Sequence, residues 1–300
     1  MSPSAYPALS FELYPPRNSE AQESLWTTVQ RLEETRPDFV SVTYGAAGSN
    51  REAAIGLLRH LLTDTTLKPL AHLTCVGSTR VELVEIVERL LDGGVRGLLA
   101  LRGDLPEGRT EPSGEIRYAD EFVRLIREVE SGRTAQLAAG KVSVGVAAYA
   151  MRHPESESLE QDVAVLLAKE AAGADFAITQ IFFRRSDYAG LLTRARDAGV
   201  TIPIIPGLIP FTSPRRLTKL CDLAGIEPDR DLMARLEEAE DDDARRSLGV
   251  GATVELGRAV LDEGAPGIHL YTFNQPTAAL DVLEALDLAR PPEAGSAVTL

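Results

Sequence analysis

The sequence predicts an α/β chain folded as a (β/α)8 TIM barrel. Three observations predict it. Eight apolar, strand-like runs recur along the chain, amphipathic helical segments separate them, and no linker or second composition regime interrupts the alternation. The runs cover residues 9–14, 39–44, 70–75, 97–101, 142–148, 176–182, 202–206 and 267–273. Several of them, 142–148 and 176–181 among them, lack polar–apolar alternation, as parallel strands covered on both faces do. An open doubly wound sheet is the alternative, but eight strand signals that fill the whole length favour a closed ring. The expected organisation is one domain over residues 1–300, with a mobile tail from about residue 291 and a loose segment at 106–114.

The helical segments follow from periodicity and punctuation. Residues 81–91 read VELVEIVERLL, apolar at three- and four-residue spacing with Glu82, Glu85 and Glu88 outward; Ser78 is the expected N-cap and Gly93–Gly94 the stop. Residues 119–129 repeat this logic with Phe122, Leu125, Ile126 and Val129. Further helices are expected over residues 20–35, 50–63, 158–172, 187–198, 214–223 and 245–263. The acidic run 237–243 suits a solvent-facing helix or its junction.

Composition narrows the function. Of 300 residues 44% are hydrophobic and 25% charged, a globular mixture. The net charge of −14 repels nucleic acid and anionic membranes, and no basic block overrides it. No uninterrupted apolar run is long enough to cross a membrane, and residues 1–10 lack the pattern of a signal peptide, so the expected setting is cytoplasmic. Cys75 and Cys221 do not make a disulfide framework. The four histidines, His60, His72, His153 and His269, show no metal-ligand spacing, so no metal site is expected. Nucleotide-binding GxGxxG, P-loop and GxSxG signatures are absent. The sequence sets no oligomeric state, and a homo-oligomer is compatible with it.

In a barrel, chemistry gathers at the C-terminal ends of the strands. Those ends carry Glu12, Thr43, Tyr44, His72, Arg102, Gly103, Asp104, Tyr149, Gln180 and residues 271–274, a polar ring on apolar strands. Glu12, between Phe11 and Leu13, suits a general acid of raised pKa, or a strand-end carboxylate paired with Arg17 or Arg102. Asp104 follows Gly103 and reads either as a ligand contact or as a turn aspartate bonded to its own backbone. Gln180 lies in an apolar run and must be hydrogen-bonded, to a ligand or to a neighbouring loop. His72 and His153 suit either a structural or a binding role.

Nine segments in order then match one family: SFELYPPR at 10–17, FVSVTYGA at 39–46, HLTC at 72–75, ALRGDLP at 100–106, VAAY at 146–149, HPE at 153–155, ITQIFF at 178–183, IIPGLIP at 204–210 and YTFN at 271–274. Over residues 9–290 the chain resembles the catalytic module of methylenetetrahydrofolate reductases, without the C-terminal regulatory domain of eukaryotic relatives. The resemblance implies reduction of 5,10-methylenetetrahydrofolate to 5-methyltetrahydrofolate. It makes Glu12 the general acid, Asp104 the carboxylate that contacts the pterin, and Gln180 the amide that contacts folate and nicotinamide. It places Arg216 and Gln275 at the folate tail, where other members carry Gln and Arg respectively.

The same resemblance places Thr43, Tyr44, His72, Arg102, Gly103, Tyr118, Tyr149, His153, Asp162 and Lys169 against FAD, the family's usual cofactor. This chain departs from the pattern where an Asn and an Arg usually meet the flavin's polar arm, carrying Val165 and Ala168 instead. The expectation is therefore direct hydride transfer from NADH with loss of the flavin; the alternative is ping-pong transfer through bound FAD. With no arginine cluster to read a 2′-phosphate, NADH is expected over NADPH. Two readings of other classes are a barrel lyase or aldolase and a non-catalytic pterin-binding protein. The first would use a Schiff-base lysine or a metal; retention of Glu12 and Asp104 speaks against the second.

Overall fold

The computed structural model describes residues 7–43, 51–105, 108, 111–133, 137 and 140–288. The first half alternates strictly: β1 (Ala8–Leu13), α1 (Ser19–Glu33), β2 (Phe39–Val42), α2 (Arg51–Asp64), β3 (Pro69–Thr74), α3 (Arg80–Asp92), β4 (Gly97–Leu101) and α4 (Ala119–Gly132). There follow β5 (Ser143–Ala148), α5 (Leu159–Ala171), β6 (Phe176–Thr179), α6 (Arg185–Asp197), β7 (Ile204–Ile205) and β8 (Gly207–Leu208). Three helices, α7 (Pro214–Ala224), α8 (Arg230–Glu238) and α9 (Asp242–Asp262), precede β9 (Gly267–Tyr271) and α10 (Pro276–Leu286).

All strand pairs are parallel, in the order β7-β6-β5-β4-β3-β2-β1-β9-β8. The two ends of that order, β7 and β8, are halves of one strand divided at Pro206, so the sheet is a ring and the open doubly wound alternative falls. Nine strands appear where eight were expected because the seventh splits. Pro206 has no N–H to donate, and its carbonyl accepts from His269 N at 2.9 Å. Gly207 N–H turns to the Thr179 hydroxyl at 2.9 Å. A Cβ at Gly207 would lie 2.3 Å from the Thr179 carbonyl oxygen, so the closing seam needs glycine.

Local signals place most helix ends. Thr79, not Ser78, caps α3: its hydroxyl accepts from Glu82 N–H while Glu82 reaches back to Thr79 N at 2.8 Å, a full capping box. Ser78 N–H is already spent on the turn, bonded to Cys75 O at 3.2 Å. Gly93 and Gly94 end the helix as expected, Gly94 with φ of +95°. The sequence reading missed α8 and α10. In α8 only Leu236 is buried, too thin a stripe to read as periodicity. The acidic run spans the end of α8 and the first turn of α9, where Asp241 caps through Ala244 N at 2.7 Å.

Two cores result from the period of two along each strand. Leu9, Phe11, Leu13, Val40, Val42, Leu98, Val144 and Val146 face the helices in the large core. Leu70, Leu99, Ile178 and Ile205, with Phe39 and Phe176, plug the barrel itself. Gly145 makes room for that plug, since a Cβ there would lie 2.7 Å from the Phe176 ring. Two residues further along the same inward rows, Ile178 gives way to Gln180 and Leu70 to His72; Ser10 likewise gives way to Glu12. The polar ring is the top layer of the barrel interior.

Candidate active site

Glu12 is buried on β1, and its carboxylate has two hydroxyl partners. Thr43 donates to Glu12 Oε1 at 2.8 Å, and the Tyr14 hydroxyl makes a second bond. Neither Arg17 nor Arg102 pairs with it. Burial is the largest influence and pushes the Glu12 carboxyl up to about 7, against the two hydrogen bonds that favour the anion. Such a group is half-protonated near neutral pH, the state from which a carboxylic acid can deliver a proton. Tyr14 lies on the same strand row as Glu12, two residues on, and that spacing was the signal that could have revealed it. Burial, followed by the adjacent Glu12 charge, raises the Tyr14 hydroxyl well above the usual tyrosine range.

The β1 and β9 ends are tied together around this acid. Thr272 Oγ1 donates to Glu12 O at 2.7 Å. The Asn274 amide bonds both ways to Tyr14, accepting from its N–H at 2.9 Å and donating to its carbonyl at 2.8 Å. Phe273 and Asn274 take positive φ of 49° and 57° to make the turn, and Phe273 stacks on Tyr14 at 5.5 Å. Tyr271 closes the wall: its hydroxyl donates to Thr179 O at 3.0 Å, beside Gln180.

Below Glu12 the barrel holds a histidine pair. His269 Nδ1 and the Ser10 hydroxyl are 2.8 Å apart. Burial lowers His269 to about 3 and His72 to about 4, so both are neutral at physiological pH. His72 Nε2 and the Ser41 hydroxyl are buried with no hydrogen-bond partner. Leaving two buried polar atoms unpaired costs stability.

On the opposite wall Gly103, with φ of +90°, turns the chain after β4 and leaves the Asp104 carboxylate exposed. Among the described residues that carboxylate makes no hydrogen bond to its own turn. It lies within electrostatic reach of Arg102 and of Tyr149, whose hydroxyl is pushed up to about 12, chiefly by burial. Tyr149 in turn bears on Tyr271, as does Glu12. Tyr271, bonded at the Thr179 carbonyl beside Gln180, thus feels Glu12 directly and Tyr149, which in turn feels Asp104. Gln180 Oε1 accepts from Ile181 N–H at 2.8 Å, which fixes the amide. Tyr44 lies outside the described residues, as do positions 45–48, 106 and the tail from 289.

A model of the methylenetetrahydrofolate reductase family matches residues 2–287. The chain belongs to that family. It is 34% identical over 280 residues to the 5,10-methylenetetrahydrofolate reductase of Escherichia coli (strain K12), covering 93% of this chain and 90% of that protein. To a probable methylenetetrahydrofolate reductase (NADPH) of Caenorhabditis elegans it is 33% identical over 291 residues, 93% of this chain and 42% of the relative. Among solved structures, an uncharacterized protein from Clostridium thermocellum that binds two copies of 5-methyl-5,6,7,8-tetrahydrofolic acid shares the fold. Its TM-score is 0.67 at 16% identity, over 95% of this chain and 96% of that one. This chain is therefore an enzyme of the methylenetetrahydrofolate reductase family built on a TIM barrel.

The side chains beyond Asp104 are already engaged with one another. Arg102 makes a double bond of charge to Glu155, Nη1 to Oε2 at 2.5 Å and Nη2 to Oε1 at 2.6 Å. Asp162 accepts from His153 N at 2.9 Å and Ser156 Oγ at 2.5 Å, holding the turn that precedes α5. His153 packs edge-on against Tyr149 at 4.5 Å and accepts at Nδ1 from Glu155 N–H. Lys169 is buried and donates to Ala147 O at 2.8 Å; burial lowers its ammonium to about 8. Val165 is exposed on α5, and Tyr118, at the start of α4, is exposed beneath the Arg117 guanidinium. Arg216 and Gln275, far apart in sequence, line one cavity of about 760 Å³ that shares Tyr271 with the Glu12 wall. Among the described residues no helix is long and apolar enough to cross a membrane.

Proposed function

We propose that the chain reduces 5,10-methylenetetrahydrofolate to 5-methyltetrahydrofolate with hydride passed directly from NADH, without flavin. The observation that carries this reading lies along α5 and the turn before it. The phosphate-bearing arm of FAD needs cations and polar donors there. Arg102 is neutralised by Glu155, Lys169 is turned inward onto a carbonyl, and Val165 offers an exposed apolar side chain. On that arm the residues present do not fit FAD.

The chemistry assigns each mouth residue a task. Protonated Glu12 gives its proton toward N10 as the bond from the bridging methylene carbon to N10 breaks, leaving N10 with the electron pair. The methylene stays on N5 as an iminium, and hydride from the reduced nicotinamide adds to that carbon to give the methyl group and NAD⁺. Glu12 is then reprotonated from solvent, so one proton and one hydride enter per turnover. Asp104 accepts from the donor edge of the pterin, and Gln180 fixes the acceptor carbon against the nicotinamide, where small displacements are expensive. The Thr43 and Tyr14 hydroxyls keep the Glu12 carboxyl from rotating away.

The test is purification without added flavin, followed by initial-rate kinetics with NADH and NADPH. Activity in colourless protein, with intersecting lines and the higher specificity constant for NADH, is expected. Co-purifying flavin absorbance and parallel lines overturn direct transfer in favour of ping-pong through FAD. No methyl product with either nicotinamide, with or without FAD, overturns the reductase reading itself.

A further inference from the structure

Glu12 must regain a proton after each turnover, and the fold leaves it few ways to do so. It is buried, and among the described residues no charged side chain pairs with it. Its carboxylate meets two neutral hydroxyls, Thr43 at 2.8 Å and Tyr14. The two differ as acids: a phenol ordinarily titrates at about 10, whereas an aliphatic hydroxyl does not titrate in water. Tyr14 continues the inward row of β1 one step past Glu12 toward the mouth and is only partly buried, so it touches both water and the carboxylate.

The turn after β9 is built around this phenol. Phe273 and Asn274 both take left-handed backbone angles, φ of 49° and 57°, which a bulky aromatic residue rarely adopts. Strain of this kind persists only where the surroundings hold it. Here it lays the Phe273 ring on Tyr14, with centroids 5.5 Å apart and planes within 11°. It also aims the Asn274 amide at the Tyr14 backbone, which it bonds at both N–H and carbonyl, while Asn274 O accepts from Thr28 on α1 at 3.1 Å. Ring and backbone are thus fixed, and the hydroxyl hydrogen is left free to rotate. Besides Glu12, the titratable group that bears on Tyr14 is Tyr271 from β9, with Tyr149 beyond it; both are neutral phenols held above their ordinary range chiefly by burial.

We propose that Tyr14 relays protons from water to Glu12 between turnovers, positioned for this by the Phe273–Asn274 turn. The proposal rests on the reading of Glu12 as the acid that protonates N10, and it holds for either hydride donor. Once N10 has taken the proton, Glu12 is a carboxylate and accepts from the Tyr14 hydroxyl. The Tyr14 O–H bond breaks toward the Glu12 oxygen while the Tyr14 oxygen takes a proton from water, and the hydroxide left behind is neutralised by a buffer acid. Glu12 ends protonated, Tyr14 ends unchanged, and no redox change occurs. The two transfers are concerted, because burial and the adjacent carboxylate make a free phenolate costly. The first catalytic event uses the proton Glu12 already holds, so the relay governs the later events and not the first.

The test separates the first turnover from those that follow, below neutral pH, with NADH and with FAD supplied where turnover requires it. Y14F removes the hydroxyl and keeps the ring on Phe273. Its single-turnover rate of methyl formation should stay within about twofold of wild type, whereas kcat should fall about tenfold or more, part of the worth of a positioned proton donor. A burst of one methyl product per enzyme should precede a slow steady state, and only that slow phase should show a larger solvent deuterium isotope effect than wild type. T43V removes the other donor without touching the relay and should slow both phases equally, with no burst. Loss of an anion-favouring bond should also carry the decline of the folate step to higher pH in Y14F. Unchanged kcat in Y14F overturns the relay, as do equal slowing of both its phases, a decline that does not move to higher pH, or a burst that appears in T43V instead. Glu12→Gln turning over at the wild-type rate removes the acid and the relay together; an inactive Glu12→Gln beside an unimpaired Y14F removes the relay alone.

Discussion

Replacing Glu12 by Gln separates the acid's chemical role from its effect on stability. The carboxyl is raised from 4.5 to about 7 by burial. A shift of that size corresponds to roughly 3 kcal/mol between the protonation states, at about 1.4 kcal/mol per unit. The native state binds the proton more tightly than the unfolded chain. The favourable balance is therefore fully present below pH 4.5 and is lost as pH rises through about 7. Glu12→Gln removes this loss, so the variant should gain up to about 3 kcal/mol on wild type between pH 5 and pH 8.5, as read by urea unfolding at both values. His72 and His269 titrate in both proteins and cancel in the comparison. Turnover should fall by about 10²- to 10⁴-fold, the usual worth of a general acid, with nicotinamide binding retained. In the wild type the rate of the folate step should decline above pH 7. A variant that stays active, or whose stability relative to wild type is the same at both pH values, would falsify the assignment.

Five further outcomes follow from the geometry. Gly207→Ala should destabilise by about 2–4 kcal/mol in thermal or urea melts because its Cβ meets the Thr179 carbonyl at the seam. Gly251→Ala, in the interior of α9 with nothing within 4 Å of its Cβ, should instead stabilise by about 0.5–1 kcal/mol. His72→Leu should raise stability by about 1–2 kcal/mol in urea melts, since it removes a buried unpartnered nitrogen. Asp104→Asn should raise KM for the folate about tenfold or more while leaving KM for NADH within twofold, because it halves the acceptor capacity offered to the pterin edge. Val165→Asn with Ala168→Arg should confer measurable FAD binding by absorbance after gel filtration; a colourless double variant counts against the account of the α5 face.

The barrel was legible because its strands are short, apolar and evenly spaced, and because Gly93–Gly94 and the VELVEIVERLL period punctuate them plainly. The split at Pro206 was not legible as a second strand. A proline in the run 202–206 reads as a strand end, and only the ring shows that β8 resumes pairing on the far side. Glu12 stood out as a lone carboxylate between Phe11 and Leu13. Its partners were harder to see, since Thr43 and Tyr14 reach it by strand register and by the period of two, and neither leaves a motif. Arg102 was weighed as a partner of Glu12, yet it pairs with Glu155 of the HPE segment, a contact across 53 residues that no local pattern encodes. The meeting of Arg216 with Gln275 likewise depends on β8 and β9 being neighbours.

Direct transfer can be followed with the transferred atom itself. Flavin-depleted protein would be given NADH deuterated at the reactive C4 position and 5,10-methylenetetrahydrofolate in ordinary water, and the product methyl group analysed by mass. The account predicts one deuterium per methyl group without any added flavin, since no exchangeable carrier intervenes. A methyl group carrying solvent hydrogen, or turnover that begins only when FAD is supplied, would contradict it.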